Sequence, residues 1–261
     1  MFDFHLHTKL SFDSETEPSN IVRAAEDAGL REICFTDHYD HNSDIKKIHN
    51  LFSADEYKRI ISPVSSEKIK VRHGVEFGLT DWNMQNLTAL SQGLPLDFVI
   101  GSVHYIGGYD PYEKEYWDGI SVKEGFTMYL EGVLKRVKLH DGYDVLGHVN
   151  YVCKSPNNPT GELLKYQDFS DIIDEIFKTI ISRGKGIEIN TSGFDRVGEF
   201  LPSLEYLLRF KELGGEIVTV GSDAHTPDRV GQYTKEACEM ISDVFGYVCT
   251  FENRKPVFHK I

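Results

Sequence analysis

Seven short apolar runs divide this chain, at residues 2–6, 32–36, 69–77, 97–103, 144–149, 186–191 and 216–221, and each is followed by a polar or helical stretch. Their β-branched and aromatic content, with glycine or polar residues behind, predicts buried strands. Helical spacing fills the gaps. Residues 18–27 have a proline at the start and Gly29 just past the end. Residues 122–139 place Phe126, Tyr129, Leu130, Val133, Leu134 and Val137 at three- and four-residue intervals, and 169–181 and 204–213 repeat the pattern before Gly184 and Gly214. Strands alternating with helices predict a parallel sheet covered by helices. Seven units are one short of a complete eight-stranded barrel, so the expected fold is α/β, a distorted seven-stranded (β/α) barrel of TIM-like form. An open doubly wound sheet is the alternative, and the lack of a glycine-rich loop after the first run weighs against it. With 261 residues and no linker, repeat or low-complexity tract, residues 1–261 are read as one domain.

A parallel barrel brings the C-terminal ends of its strands to one face, where active sites are built. Six of the eleven histidines fall there: His5, His7, His38, His104, His148 and His225 end an apolar run or lie just beyond it. Asp13, Glu76 and Asp223 join them. Residues two apart on a strand share a face, so His5 and His7 can reach one ion while Leu6 packs the other way. Alone, such a pair is weak evidence, because half-buried strands often alternate. Asp223-Ala224-His225 repeats the geometry on the last strand, the neighbour of the first in a closed barrel. Nitrogen and oxygen donors without a thiolate suit Zn, Mn or Fe rather than Mg or Ca. Nine candidate ligands are too many for one ion, so two or three divalent transition metals are expected.

These residues resemble a known family. His5-Leu6-His7-Thr8 with Ser11 and Asp13, Phe35-Thr36-Asp37-His38, Gly74-Val75-Glu76, Ser102-Val103-His104, Gly147-His148 and Ser222-Asp223-Ala224-His225 are similar, in order and spacing, to the PHP (polymerase and histidinol phosphatase) superfamily. Residues 100–106 and 189–193 resemble its histidinol-phosphate phosphatase branch. The resemblance implies three metals: the first held by His5, His7, Glu76 and Asp223, the second by Glu76 with His104 and His148, the third by Asp13, His38 and His225. It implies hydrolysis of L-histidinol phosphate to L-histidinol and phosphate, a late step of histidine biosynthesis. Hydroxide bridging the first two metals, and so resting on Glu76, is the expected nucleophile. Asp37 or the third metal is the candidate for assisting the leaving oxygen; the alternative for Asp37 is to orient His38 or a neighbouring ligand from behind. Arg196 is the first choice for gripping phosphate, with Lys154 and Tyr105 as further substrate contacts.

A formal charge of −13 argues against a nucleic-acid surface, which needs clustered lysine and arginine. No apolar run suits a bilayer and no signal peptide opens the chain, so a cytoplasmic protein without membrane contact is expected. The expected partner is a small phosphate monoester; the sequence leaves the oligomeric state open. Cys34, Cys153, Cys238 and Cys249 are scattered, which argues against a disulfide framework or a thiolate zinc cluster, and Cys34 reads as core. His41, His49, His140 and His259 read as solvated, His73 as structural, and Trp82 and Trp117 as packing residues. Residues 156–161 form a loop expected to wall the site. Glu188 and Asn190 share a strand face, and a Glu188 pointing into the barrel would need a partner. The rival functions are a phosphoesterase for another small ester or nucleotide, a nuclease module, and a non-catalytic metal-binding protein.

Overall fold

The computed structural model describes residues 1–41, 49–81 and 83–260. In chain order its elements are β1 (Phe2–Leu6), α1 (Pro18–Asp27), β2 (Glu32–Phe35), β3 (His38–His41), β4 (His49–Asn50), α2 (Ala54–Ile60), β5 (Lys70–Gly78), α3 (Met84–Gly93) and β6 (Phe98–Ser102). There follow α4 (Val122–Leu139), β7 (Val145–Leu146), α5 (Ser170–Ser182), β8 (Gly186–Asn190), α6 (Phe194–Val197), α7 (Leu204–Glu212), β9 (Val218–Gly221), α8 (Thr234–Phe245), β10 (Tyr247–Glu252) and β11 (Lys255–Lys260).

Seven strands pair in parallel in the order β1-β2-β5-β6-β7-β8-β9, the seven runs of the sequence. Closure is made just beyond β9, where Leu6 bridges Ala224 and the amides of His7 and Asp223 donate to Ala224 O and His5 O, each at 2.9 Å. The result is a nearly closed, distorted seven-stranded barrel. β3 continues β2 along the edge of β5: Phe35 pairs with His73 and His38 with Glu76, one register carried across Thr36 and Asp37. That continuation sets His38 beside Glu76.

The helices cover the outside as their spacing predicts. On α4, Phe126, Tyr129, Leu130, Val133 and Val137 are buried, while Leu134 only packs at the margin. Ser121 and Glu124 form a reciprocal capping box that starts the helix. α5 buries Ile173, Ile176, Phe177 and Ile180; each such side chain stabilises the fold by about 1.5–3 kcal/mol. No helix among the described residues is long and apolar enough to cross a membrane.

The β10–β11 antiparallel hairpin was not foreseen from the sequence. It covers the N-terminal ends of the strands, opposite the histidines: Phe251 packs on Phe98, and Arg254 Nε donates to Asp144 Oδ2 at 2.6 Å. Two histidines read as solvated are not. His140 is 2% exposed and its Nε2 donates to Thr80 O at 2.6 Å. His259 is half-buried against the Phe2 ring, with Nε2 2.7 Å from Thr250 Oγ1. His73 is half-buried with its ring edge-on to Tyr57. Trp117 is buried, its Nε1 donating to Pro111 O at 2.8 Å, and Cys34 is core. Trp82 and the side chains of His41 and His49 lie outside what is described.

Candidate metal centre

His5 and His7 project from the end of β1 to one side, as alternation requires, and meet Glu76 of β5 and Asp223 after β9. His5 Nε2 is 3.2 Å from Glu76 Oε2 and 3.7 Å from Asp223 Oδ1. His7 Nε2 is 3.6 Å from Glu76 Oε2 and 3.2 Å from Asp223 Oδ1. A tetrahedral ion with bonds of about 2.0–2.1 Å needs donors roughly 3.3–3.4 Å apart, and these four separations bracket that edge. His5 Nε2, His7 Nε2 and Glu76 Oε2 are buried, yet none makes a hydrogen bond of acceptable geometry. Donors packed this closely without bonding one another fit a shared cation.

Two further groups adjoin the first. The second carboxylate oxygen of Glu76 lies 3.1 Å from His104 Nε2 and 2.9 Å from His148 Nε2, and it accepts from Ser102 Oγ at 2.6 Å. Glu76 therefore presents one oxygen to each of two groups. Asp13 Oδ2 lies 3.1 Å from His225 Nε2 and 3.6 Å from His38 Nε2. The His38 ring also offers Nδ1, 2.8 Å from Glu76 Oε2.

The rings are held from behind. His5 Nδ1 is 2.6 Å from Glu188 Oε1, so Glu188 does point into the barrel and its partner is a histidine of the centre. Its other oxygen accepts from the His148 amide at 3.0 Å and from Asn190 Nδ2 at 3.2 Å. Ser11 Oγ donates to Asp37 Oδ1, accepts from the His38 amide and lies 3.0 Å from His7 Nδ1. With the serine proton spent on Asp37, His7 donates from Nδ1 and its Nε2 lone pair faces the centre. Asp40, missed in the sequence, stands between His104 Nδ1 at 3.2 Å and His38 Nδ1 at 3.3 Å. A Cβ on Gly78 would fall 1.6 Å from Asp40 Oδ1, so only glycine leaves room for it.

Backbone strain accompanies this packing. Asp223 has φ of 56°, a left-handed conformation uncommon outside glycine and typical of functional sites. Burial alone would raise the Glu76 carboxyl, but the imidazoles of His5, His38 and His104 hold it well below its usual range. Asp223 is held down against burial by Lys154 and His5. Burial would lower His104, yet Asp40 and Glu76 carry it to about 10. His7 is lowered, because burial and the rings of His225 and His38 act together. Carboxylates this deep need countercharge. The surrounding imidazoles are one source of it, and divalent cations are another, whose binding would release ligand protons.

A cavity of about 870 Å³ opens onto the three groups, and Tyr105, Lys154 and Arg196 lie on its wall. Lys154 Nζ donates to Asp223 Oδ2 and Ser192 Oγ, both at 2.8 Å. Arg196 is exposed, and its Nη1 donates to Lys154 O at 2.8 Å. Asp37 is not on the wall. It is fully buried, accepting from the Thr8 amide, Thr8 Oγ1 and Ser11 Oγ at 2.6, 2.9 and 2.8 Å. The expectation that it assists the leaving oxygen gives way for that reason: its oxygens are committed beneath the ligands. Residues 156–161 do not line the cavity either. Asn157 Nδ2 donates to Tyr112 O, so this loop braces the segment that does.

Comparison with known proteins gives the family. A family model described as the PHP domain matches residues 3–192. A probable histidinol-phosphatase of Clostridium acetobutylicum is 33% identical over 258 residues, spanning 99% of this chain and 96% of its own length. A histidinol-phosphatase of Lactococcus lactis is 32% identical over 260 residues, spanning 97% and 95%. Among solved structures, the histidinol phosphate phosphatase of Lactococcus lactis, crystallised with zinc, L-histidinol and phosphate, matches with a TM-score of 0.90 and 30% identity, covering 98% of each chain.

Proposed function

The chain belongs to the PHP domain family, and from that membership we propose that it is a metal-dependent phosphomonoesterase hydrolysing L-histidinol phosphate to L-histidinol and phosphate. One observation carries the reading: each imidazole of His5 and His7 lies 3.2–3.7 Å from a carboxylate oxygen of both Glu76 and Asp223, close to the donor spacing of a tetrahedral ion, under a cavity large enough for a small ester. His5, His7, Glu76 and Asp223 would hold one ion. Glu76 would share its other oxygen with His104 and His148 for a second, and Asp13, His38 and His225 would hold a third. The mixed nitrogen and oxygen set suits zinc, the metal of the Lactococcus structure, and manganese or iron by the same chemistry. Ions held there would supply Lewis acidity toward water and toward the phosphoryl oxygens.

The chain's own groups do the rest. Glu76, between two donor groups, fixes their separation. Lys154 stays protonated beside Asp223, although burial opposes it, and brings a cation to the phosphate end of the cavity. Arg196, propped on Lys154 O, offers a guanidinium to outer phosphate oxygens. Tyr105, buried and kept as the neutral phenol, offers a hydroxyl. Residues 1–261 act as one unit in this reading: the family match ends at 192, but Asp223 and His225 complete two of the three groups.

Phosphate release from histidinol phosphate, measured before and after removal of metal by a chelator, tests the proposal. Activity should vanish with the metal and return with zinc, and His5→Ala or Asp223→Ala should fall to background. Undiminished turnover by metal-free protein would refute it. A panel of other phosphomonoesters tests the substrate; equal rates on all would leave a general phosphoesterase.

A further inference from the structure

The cavity wall would receive a phosphate dianion, yet it carries an exposed carboxylate, Asp195, next in sequence to Arg196. An anion in that place repels the substrate. Its contacts show what it does instead. Asp195 Oδ2 accepts from Arg229 Nη1 at 2.8 Å and from Gln232 Nε2 at 3.1 Å, and Oδ1 accepts from Tyr233 Oη at 2.6 Å. Three donors from one short segment, residues 229–233, thus converge on a single side chain. The Tyr233 hydroxyl holds the carboxyl below its usual range against burial, and Arg229 adds to that effect.

Arg196 depends on such an anchor. It lies on α6, one turn of four residues that ends at Gly198 in the left-handed region, with φ of 74°. A single turn is too short to hold its own shape, so its attitude is set by what its side chains grip. Phe194 packs on the rings of Phe200 and Tyr233, with centroids 5.1 and 4.8 Å apart. Neighbouring residues on a helix point about 100° apart, which lets Asp195 reach the 229–233 segment while Arg196 turns toward Lys154. Among the described residues no carboxylate pairs with Arg196. Its Nη1 donates to Lys154 O at 2.8 Å, and its guanidinium lies 5.6 Å from the Tyr112 ring centroid. Those two neutral contacts leave N–H groups for phosphate, but they fix the side chain only as well as α6 is fixed. Arg229, by contrast, has its charge paired with Asp195.

We propose that Asp195 is a positioning residue: by fastening α6 to residues 229–233 it holds Arg196 where the guanidinium can receive the phosphate of the ester. The assignment rests on the phosphatase reading above.

The test reads turnover and phosphate affinity together in the zinc-loaded protein, the affinity by calorimetry with inorganic phosphate. By charge alone, removing a carboxylate from an anion-binding wall should tighten phosphate; loss of positioning should weaken it. Asp195→Ala is therefore expected to raise KM for histidinol phosphate and the Kd of inorganic phosphate about 3- to 10-fold, part of the roughly 10- to 100-fold that a charge-assisted hydrogen bond is worth. It should hold kcat within about threefold, and because the side chain is exposed the melting temperature should hardly move. Asp195→Asn, which keeps an acceptor for Tyr233, should recover part of the loss. If Asp195 acts through Arg196, adding Asp195→Ala to Arg196→Ala should change neither constant by more than about twofold. Tighter or unchanged phosphate in Asp195→Ala overturns the assignment, as does the same weakening in the Arg196→Ala background; phosphate release by wild type would leave the phosphatase standing in either case. No release from the ester by wild type would instead sink the phosphatase reading, and the phosphate affinities would still decide the role of Asp195.

Discussion

His5 is fixed from the side away from the centre, where Glu188 Oε1 approaches Nδ1 to 2.6 Å and leaves Nε2 facing Glu76 and Asp223. A carboxylate so placed orients the ring and strengthens it as a ligand, and removing one typically costs 10- to 100-fold in metal affinity. Glu188→Gln should therefore weaken zinc binding by about that factor in a chelator competition while the melting temperature of the metal-saturated protein hardly moves. Unchanged affinity would deny Glu188 this role. Asp40→Asn should act likewise at the neighbouring group, lowering the number of ions retained on dialysis without releasing the ion at His5, because among the described residues the imidazoles that Asp40 meets are those of His38 and His104. That these nine candidates cluster was legible in the sequence because most end an apolar run or lie just beyond one, and a parallel barrel gathers such ends. The roles of Glu188 and Asp40 were not, since each takes its meaning from a partner on another element. Of the two sequence readings of Asp37, the orienting one fits its contacts, since its oxygens reach back to Thr8 and Ser11 rather than into the cavity.

The joint between β1 and the end of β9 is the element on which the centre depends most. Asp3 accepts there from the Ser222 amide at 2.8 Å, Ser222 Oγ at 2.5 Å and the Gly231 amide at 2.8 Å. Asp3→Ala would leave these donors without their acceptor, and hydrogen bonds to a charged group are worth about 1.5–3 kcal/mol each. A loss of at least about 3 kcal/mol is expected in urea unfolding, and a loss below about 1 kcal/mol would show that the joint holds without it. Gly221 is packed as tightly: a Cβ there would lie 2.3 Å from His5 Cβ, so Gly221→Ala should displace a ligand as well as strain the fold. The strands themselves were readable, since buried parallel strands are continuous apolar runs. Their ends were less so, and the 144–149 run yields only Val145–Leu146 as strand before the backbone turns to present His148. The C-terminal hairpin escaped because its turn, Asn253-Arg254 with φ of 50° and 63°, lacks the usual glycine. Pro256 within β11 also disguised it, tolerated because β11 is an edge strand.

Outside the metal centre, three histidines each contribute to stability a pH dependence of the same sign. His140, His73 and His259 all have lowered pKa values, and burial is the main cause in each. At His140 the Thr80 carbonyl works against burial, Arg136 with it, and Asp81 against it. All three fold as neutral rings. In the unfolded chain each takes a proton near its ordinary pKa of about 6.5, so below that pH the unfolded state binds more protons than the folded one. Stability contributed by neutrality is then fully present above about pH 6.5 and is lost as pH falls toward the lowered folded values. The ligand histidines of a metal-loaded centre would add acid lability of the same sign, so a fall in stability alone does not identify its source. His140→Gln separates the two. A glutamine amide can donate to Thr80 O as the ring Nε2 does, but it does not titrate, and the site lies outside the metal centre. Urea unfolding of the zinc-saturated protein at intervals from pH 7.5 to 5 should give a shallower decline for the variant than for wild type, with the curves parallel above about pH 7. Curves parallel over the whole range would assign the acid sensitivity to the metal ligands and remove His140 from it.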